Sequence, residues 1–260
     1  MVKVSELKPV LDGMTWSFSR ITSFGNCPYE WYLNYIEECD DKTSNIYAEF
    51  GSFCHGILEQ YFNMCLEKEE LLAYYLEYFD DFVTRTPWNG SAVDKLFDYG
   101  FNYFNEINYD PRKMDILGVE QKFEVEVGGH KIKGFIDLIY REGDQIVVCD
   151  HKSCEYPFTK KGAIKKGKEE KFESFKKQLY IYSLYIKQEY GIYPIFLEWN
   201  FFREGIKHRI SFNENEFNDA IEWTKNQIEA IYDVKDFDPN PSYFYCNNLC
   251  DFRAVCEYRG

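Results

Sequence analysis

The sequence predicts an α+β protein. Near residue 117 the spacing of apolar residues changes from the period of a helix to the period of a strand. The order of the predicted elements is helices, a run of three strands, a helix, two strands and a helix. This order is typical of α+β proteins rather than of a repeating βαβ pattern.

Helices are predicted for most of the region before residue 110. Residues 17–36 begin with Ser17 or Ser19 as a cap, and Pro28 starts a second turn or helix. Residues 69–84 and 91–107 form further predicted helices. A strongly amphipathic helix is predicted between the segment 17–36 and the segment 69–84. Its apolar positions recur at i, i+3, i+4 and i+7, and they are Phe50, Phe53, Cys54, Ile57, Leu58, Tyr61 and Phe62.

Strands are predicted in two groups. The first three are GVEQKFEVEV, HKIKGFIDLIY and DQIVVCDHKS, with turns at Gly128-Gly129 and Glu142-Gly143-Asp144. A helix at about 171–190 separates them from a second hairpin, PIFLEWNFF and IKHRISF, which turns through Glu204-Gly205. The last predicted helix covers about 214–232.

A single domain is expected over residues 1–260, because no repeat, low-complexity tract or linker interrupts the sequence. Within it we expect a helical elaboration at about 17–110, a core at 117–212, and a C-terminal helix with a cysteine cluster at 213–260. The composition, 45% hydrophobic and 19% aromatic, is sufficient for a substantial core.

The bulk charge and the apolar runs exclude some classes of protein. The net charge of −14 argues against a globally basic nucleic-acid-binding surface, although it leaves room for local basic contacts. No apolar run reaches the roughly 18–20 residues of a membrane span, so no membrane partner is expected. The start, MVKVSELKPVLDG, lacks the apolar core of a signal peptide, and we expect an intracellular, cytoplasmic protein.

Three of the nine cysteines, Cys246, Cys250 and Cys256, lie within the last fifteen residues. In an intracellular protein we expect no disulfide framework from them. Together with a fourth ligand from elsewhere they can bind one metal centre, and both zinc and iron–sulphur clusters accept thiolates. The spacing does not decide between these two, and chance clustering is a third reading.

An acidic pair is predicted at the neighbouring strands. Side chains alternate along a strand, so Asp150 and Lys152 share one face while Cys149 and His151 share the other. Asp137 lies in an apolar context, where a carboxylate is costly unless it is paired or bound to a metal. If the strands form a hairpin, Asp137 and Asp150 are neighbours, and a cation such as Mg²⁺ would offset their repulsion. Otherwise Asp150 and Lys152 form a surface ion pair and Asp137 lies near the turn.

These residues resemble a known family. GFIDLIY followed by IVVCDHKS resembles motifs II and III of the PD-(D/E)XK nuclease superfamily. Further landmarks resemble, in order, its RecB-type branch, which includes the AddB nuclease domain and CRISPR-associated iron–sulphur exonucleases. They span residues 17–256, and they are Cys27 in CPYEWYL, His55 in GSFCHGILEQ, Glu120 in GVEQKFEV, Gln178 and Tyr182 in QLYIY, and Cys246, Cys250 and Cys256. The resemblance implies a restriction-endonuclease-like αβββαβ core with a helical elaboration and a C-terminal cysteine-bound cluster.

The resemblance also implies roles for the metal-binding residues and for Lys152. His55, Asp137 and Asp150 would hold Mg²⁺ or Mn²⁺, with the backbone carbonyl of His151 as a further ligand. Lys152 would orient the attacking water or stabilise developing charge, since an ordinary lysine is a poor base at neutral pH.

Three further residues have alternative explanations. Glu120 would contact the metal through water or indirectly, although charge alternation on an exposed strand explains it too. Gln178 and Tyr182 share a helical face. They would bond DNA or the active-site groups, or would simply pack. The side chains of His130, His151 and His208 are expected at turns or at the surface.

Cys27 would complete the cysteine set. With it the resemblance favours a [4Fe–4S] cluster over Zn²⁺, although three residues separate Cys246 from Cys250 where the branch commonly has two. The segment 160–177 carries eight lysines and three glutamates. It is either a solvated loop and helix start or a surface that attracts the DNA backbone.

The expected function is that of a metal-dependent DNA nuclease, an exonuclease acting on single strands or ends. Repair, recombination, phage DNA processing and CRISPR spacer acquisition use related domains, so the protein would be nucleoid-associated or phage-encoded. Its substrate partner would be DNA. Because no helicase motif is present, a separate helicase, or a recombination or CRISPR protein, would be a possible protein partner. The alternatives are a catalytically silent nucleic-acid-binding or assembly protein with this fold, and a zinc-bound structural module.

Overall fold

A computed structural model of the chain describes residues 4–86 and 89–258. The helices are α1 (Val4–Asp12), α2 (Phe18–Asn26), α3 (Pro28–Tyr35), α4 (Ile46–Phe62), α5 (Lys68–Phe82), α6 (Gly90–Glu106), α7 (Glu169–Tyr190), α8 (Glu214–Tyr232) and α9 (Tyr243–Asn248). The strands are β1 (Asp115–Val127), β2 (His130–Glu142), β3 (Gln145–Lys152), β4 (Phe196–Phe201) and β5 (Ile206–Ser211). The predicted α+β class is confirmed, while α1 and α9 were not predicted.

The strands form one mixed sheet in the order β1-β2-β3-β4-β5. β2 and β3 are antiparallel, with Leu138 opposite Cys149 and Glu142 opposite Gln145. The predicted turn between them is confirmed, since Gly143 takes a left-handed φ of 60°. β3 and β4 are parallel and α7 lies between them in the chain, as a parallel crossover requires.

The predicted helical segment 17–36 forms two helices, and the second begins at Pro28 as predicted. Ser17 caps α2, because its hydroxyl accepts a hydrogen bond from the backbone N–H of Arg20 at 3.1 Å. Cys27 then takes an extended conformation, and Pro28 is the first residue of α3. This break places Cys27 between the two helices.

Contacts divide the chain into two compact units. The terminal unit comprises Met1–Asn45, Glu124–Gly134 and Asn218–Gly260, and the central unit comprises Ile46–Phe123 and Phe135–Phe217. A single domain over residues 1–260 therefore stays a prediction. No helix in the described ranges is long and apolar enough to cross a membrane.

In the central unit, helices cover both faces of the sheet. Buried side chains of α4, α5 and α6 form one core with Leu138, Val147 and Cys149. On the other face α7 packs against β3 and β4, and the rings of Phe172 and Trp199 lie 5.1 Å apart. Successive side chains of β3 therefore contact different helices.

Candidate active site

The end of β3 carries a chain of polar contacts. Lys152 Nζ and Asp150 Oδ2 form an ion pair with a separation of 2.6 Å. The buried Oδ2 accepts no hydrogen bond of good geometry from the described residues. Nζ donates to Gln178 Oε1 at 2.8 Å, and Gln178 Nε2 donates to Tyr182 Oη at 2.7 Å. Lys152 Nζ also lies 4.4 Å from the centre of the Phe175 ring. The side chain of Lys152 is thus held from several directions.

Asp137 lies next to this chain, as the turn position predicted. One step beyond the pair Leu138–Cys149, the register sets Asp137 opposite Asp150. Asp137 Oδ2 accepts a hydrogen bond from the backbone N–H of His151 at 2.5 Å and lies 3.6 Å from His55 Nδ1. The predicted proximity of the two carboxylates is confirmed.

His55, Glu120 and Asp137 form a group suited to a metal ion. One ligand atom from each residue lies within 4.8 Å of the others. Two carboxylates and one imidazole suit Mg²⁺ or Mn²⁺. Asp150 lies outside this group, against Lys152. Glu120, for which the sequence predicted an indirect contact, lies within it.

The backbone around this group is unusual at two points. Glu120 takes a left-handed φ of 46° inside β1, which costs about 1–3 kcal/mol in a non-glycine residue. On α4, a Cβ at Gly51 would lie 2.9 Å from Ser153 Oγ, so α4 approaches the end of β3 closely here. Glu120 and Gly51 both line the open groove that contains His55 and Asp137.

Burial and mutual repulsion perturb the carboxyl groups. Burial raises the pKa of Asp137 well above its ordinary value, and the charge of Asp150 raises it further. Burial, followed by the charge of Asp137, raises the pKa of Glu120 to about 7. Burial lowers the pKa of His55, whose ring also hydrogen-bonds to the backbone of His151. A divalent cation would favour the charged carboxylates and the neutral imidazole, which are the ligand forms.

The side chain of His151 is buried, which makes its predicted surface position wrong. Its exposed fraction is 5%, and its ring stacks on Phe62 at 5.6 Å. Asn200 Nδ2 lies 3.2 Å from His151 Nδ1 and donates to Tyr103 Oη at 2.7 Å. The strand alternation was correct, but the core beneath α4 continues further along β3 than the sequence indicated.

The other two histidines are half-buried. His208 lies on β5, and its ring stacks on that of Phe158 at 4.4 Å. His130 follows the predicted Gly128-Gly129 turn, with its ring 5.5 Å from that of Tyr232. Neither residue belongs to the metal-binding group.

The four predicted cluster cysteines, Cys27, Cys246, Cys250 and Cys256, line one pocket of the terminal unit. The backbone N–H of Asn240 donates to Cys27 Sγ at 3.4 Å, and that of Ser242 donates to Cys246 Sγ at 3.3 Å.

The remaining two sulphurs also have backbone partners. Burial raises the pKa of both thiols, that of Cys250 to about 12. Backbone hydrogen bonds from Phe252 to Cys250 and from Tyr258 to Cys256 offset part of this effect. Such N–H donors stabilise thiolate ligands, so the donor set fits a thiolate-bound centre.

The sulphurs of the pocket are less compact than the ligand atoms of the groove. In the part of the chain that the structure describes, no three metal-ligand atoms of the cysteine pocket lie within 4.8 Å of one another.

The lysine-rich segment is partly neutralised by its own neighbours. Lys165 and Lys168 pair with Glu155 at 2.6 and 3.3 Å. Lys176 pairs with Glu173 and Glu216 at 3.0 and 3.1 Å. The net positive charge of the segment is therefore smaller than its lysine content indicates.

A family comparison covers nearly the whole chain. The family model of the PD-(D/E)XK nuclease superfamily matches residues 15–257, and the chain belongs to this superfamily. Membership implies a phosphodiester hydrolase that acts on nucleic acid with a divalent metal. No protein of curated function matches the sequence.

Solved structures support the fold. A crystal structure from Eubacterium rectale, described as a “Putative exonuclease”, aligns with a TM-score of 0.55 and 16% identity, covering 92% of this chain and 86% of that one. A structure described as SSO0001 aligns with a TM-score of 0.34 and 18% identity, covering 79% and 85%. The first similarity shows a shared fold, and the second alignment is too weak to show one.

Proposed function

We propose that the protein is a metal-dependent deoxyribonuclease of the RecB-type branch, an exonuclease acting on single strands or ends. The observation that carries the proposal is the convergence of His55, Glu120 and Asp137 beside the Asp150–Lys152 pair. The groove that contains the first three residues is open to solvent.

In this proposal His55, Asp137 and Asp150 hold Mg²⁺ or Mn²⁺, with the His151 carbonyl as a further ligand. Glu120 contacts the metal directly or through water, since its carboxylate lies in the same group. When bound, the metal neutralises phosphate charge and lowers the pKa of a water molecule. The hydrogen bond from the His151 N–H to Asp137 fixes the carboxylate that faces His55.

Lys152 provides positive charge at the scissile phosphate. Its Nζ is held by Asp150 and Gln178, so the side chain needs little reorganisation when charge develops. Tyr182, which accepts from Gln178, steadies this arrangement from α7. We assign Gln178 and Tyr182 to positioning Lys152 rather than to contact with DNA.

The substrate would be DNA, single-stranded or with free ends. Lys160, Lys161 and Lys166 are exposed on the segment after β3 and offer phosphate contacts. A separate helicase or a recombination or CRISPR protein would supply unwound strands.

The cysteine pocket would hold a [4Fe–4S] cluster. The four cysteines line one pocket, and backbone N–H groups donate to the sulphurs of Cys27 and Cys246. The cluster would join the segment at Cys27 to the C-terminal tail as a structural support within the terminal unit.

The test is a cleavage assay with protein purified anaerobically. Linear single-stranded DNA should be digested with Mg²⁺ or Mn²⁺ and remain intact in EDTA. Asp150→Ala should lower the rate by roughly 10³-fold, whereas Asp144→Ala, in the exposed hairpin turn, should leave it unchanged.

Other nucleic-acid substrates test the exonuclease and the deoxyribonuclease parts of the proposal separately. Circular single-stranded DNA should resist digestion, and its cleavage would contradict an exonuclease. RNA digested as fast as DNA would contradict the deoxyribonuclease assignment. No cleavage by the metal-loaded wild type would leave the catalytically silent nucleic-acid-binding protein as the better account.

A further inference from the structure

A second cavity lies in the central unit, behind the strand that carries Asp150. Its polar lining comes from α6, the segment after it and the β4–β5 turn, and it includes Asn102, Tyr103, Asn108, Asn200, Arg203 and Lys207. It shares no lining residue with the groove of His55 and Asp137.

Arg203 is the most informative residue of this cavity. Its guanidinium lies 4.3 Å from the centre of the Tyr99 ring. Its buried Nε has no hydrogen-bond partner among the described residues, and no carboxylate in those ranges lies within ion-pair distance of it. Arginine presents five donors in a rigid plane, and stacking fixes that plane. The side chain therefore has a fixed orientation in the cavity wall, and the more distant charge of Glu204 offsets its own.

Lys207 adds a second cation in a similar setting. Its Nζ lies 4.3 Å from the centre of the Tyr109 ring and 3.4 Å from Glu198 Oε1. Glu198 also pairs with Arg209 at 2.7 Å, so its charge is shared between two cations. The cavity thus contains one arginine without an ion pair and one lysine that is only partly neutralised.

The rest of the lining is mixed rather than purely basic. Asn102 and Asn108 expose their amides at the rim, and Glu106 and Glu204 contribute carboxylates. Glu204 Oε2 already accepts a hydrogen bond from the backbone N–H of Tyr156 at 3.2 Å. Inorganic phosphate would meet these carboxylates unfavourably. A nucleotide carries a phosphate for the arginine and amino or hydroxyl donors for the acceptors.

We propose that this cavity binds one nucleotide unit, with its phosphate on Arg203 and Lys207 and its base or sugar on the rim. The proposal rests on the proposed nuclease function, which supplies such units as part of a strand or as released mononucleotides. The position supports it, because Asn200 lines the cavity and contacts His151, the residue after Asp150.

The test measures binding without catalysis. The full-length protein in EDTA is titrated calorimetrically with deoxyadenosine monophosphate and, separately, with inorganic phosphate. The nucleotide should bind and inorganic phosphate should bind at least about tenfold more weakly. Arg203→Gln should weaken nucleotide binding by roughly tenfold or more, because it removes charge-assisted hydrogen bonds. Arg85→Gln removes a surface arginine that pairs with Asp94, and it should bind as the wild type does.

A second variant separates this site from the groove. Asp150→Ala should keep nucleotide binding in EDTA even where it abolishes cleavage. Absence of nucleotide binding by the wild type, or equal binding by Arg203→Gln and Arg85→Gln, would overturn the proposal. So would loss of binding in Asp150→Ala with retention in Arg203→Gln. Unchanged melting temperatures of the variants exclude misfolding as the cause.

A short single-stranded oligonucleotide distinguishes the two sources of the nucleotide unit. If Arg203→Gln also weakens oligonucleotide binding, the cavity takes a unit of the strand. If only mononucleotide binding weakens, the cavity takes the free nucleotide. Both results support the nucleotide chemistry of the site, and neither depends on the protein being an active nuclease.

Discussion

The carboxylate groove and the cysteine pocket are both concave and rich in possible metal ligands, and burial raises the pKa of acidic groups in both, but the neighbours of the ligand atoms differ. In the groove, burial and neighbouring charge raise the pKa of Asp137 and of Glu120. In the pocket, backbone N–H groups point at the sulphurs of Cys27 and Cys246. The protein thus brings charges together at the groove at a cost to stability, whereas the backbone of the pocket is already arranged for its ligands. The proposed function would explain the difference, with the groove serving catalysis and the pocket serving stability.

Removing one pocket cysteine should have the largest effect on stability. Cys250→Ser should lower the melting temperature by roughly 5–10 °C and reduce bound iron, since a structural metal centre contributes folding free energy. Cys65→Ser, at an exposed cysteine, is the matched control. Anaerobic thermal denaturation with iron and sulphide analysis measures both. Equal melting temperatures and metal contents in the two variants would contradict the role of the pocket.

Removing the positive charge of Lys152 should affect catalysis rather than folding. Lys152→Gln should lower the cleavage rate by about 10²–10³-fold. It should also tighten Mn²⁺ binding, because a cation next to Asp150 is lost. Lys171→Gln, which lies near Phe175 but away from Asp150, should change neither quantity. Single-turnover rates and Mn²⁺ titration separate these effects, and a parallel loss of rate and Mn²⁺ affinity would show that Lys152 acts structurally.

The α7 pair should have a smaller effect in the same direction. Gln178→Leu removes the acceptor of Lys152 Nζ, and we expect a rate reduction of roughly tenfold, close to the value of one hydrogen bond to a charged group. Tyr182→Phe removes only the next bond and should cost about threefold or less. A larger loss in Tyr182→Phe than in Gln178→Leu would indicate that the tyrosine contacts DNA itself.

The smallest expected effect is the pH dependence of stability in the metal-free protein. The pKa of Glu120 is raised from 4.5 to about 7, so the folded state binds a proton more tightly than the unfolded state. The contribution of Glu120 to the free energy of unfolding therefore falls as the pH rises from 4.5 to about 7, and it levels off above that range. Urea denaturation in EDTA should show this slope and a shallower one in Glu120→Gln. Glu126→Gln, exposed on the same strand, should keep the slope of the wild type.

Features that follow from local period and spacing were predictable from the sequence. The strands around the Glu142–Asp144 turn are an example, and the turn alone located Asp137 opposite Asp150. The landmarks also identified Gln178, whose contact with Lys152 depends only on α7 lying over β3.

Features that depend on distant packing were not predictable. The burial of His151 depends on Phe62 and Asn200, which lie far from it in sequence. The left-handed backbone of Glu120 breaks a strand pattern that otherwise indicates an ordinary conformation. Arg203 had no signal at all, because its stacking on Tyr99 joins two residues that no motif connects.

The close approach of Gly51 to Ser153 has a consequence for how this chain can diverge. A methyl group at position 51 would meet the Ser153 hydroxyl at 2.9 Å, so the two positions are coupled. A side chain at position 51 requires the Ser153 hydroxyl to rotate away or Ser153 to be replaced by a smaller residue, so Gly51→Ala should be tolerated better beside Ser153→Gly than in the wild type.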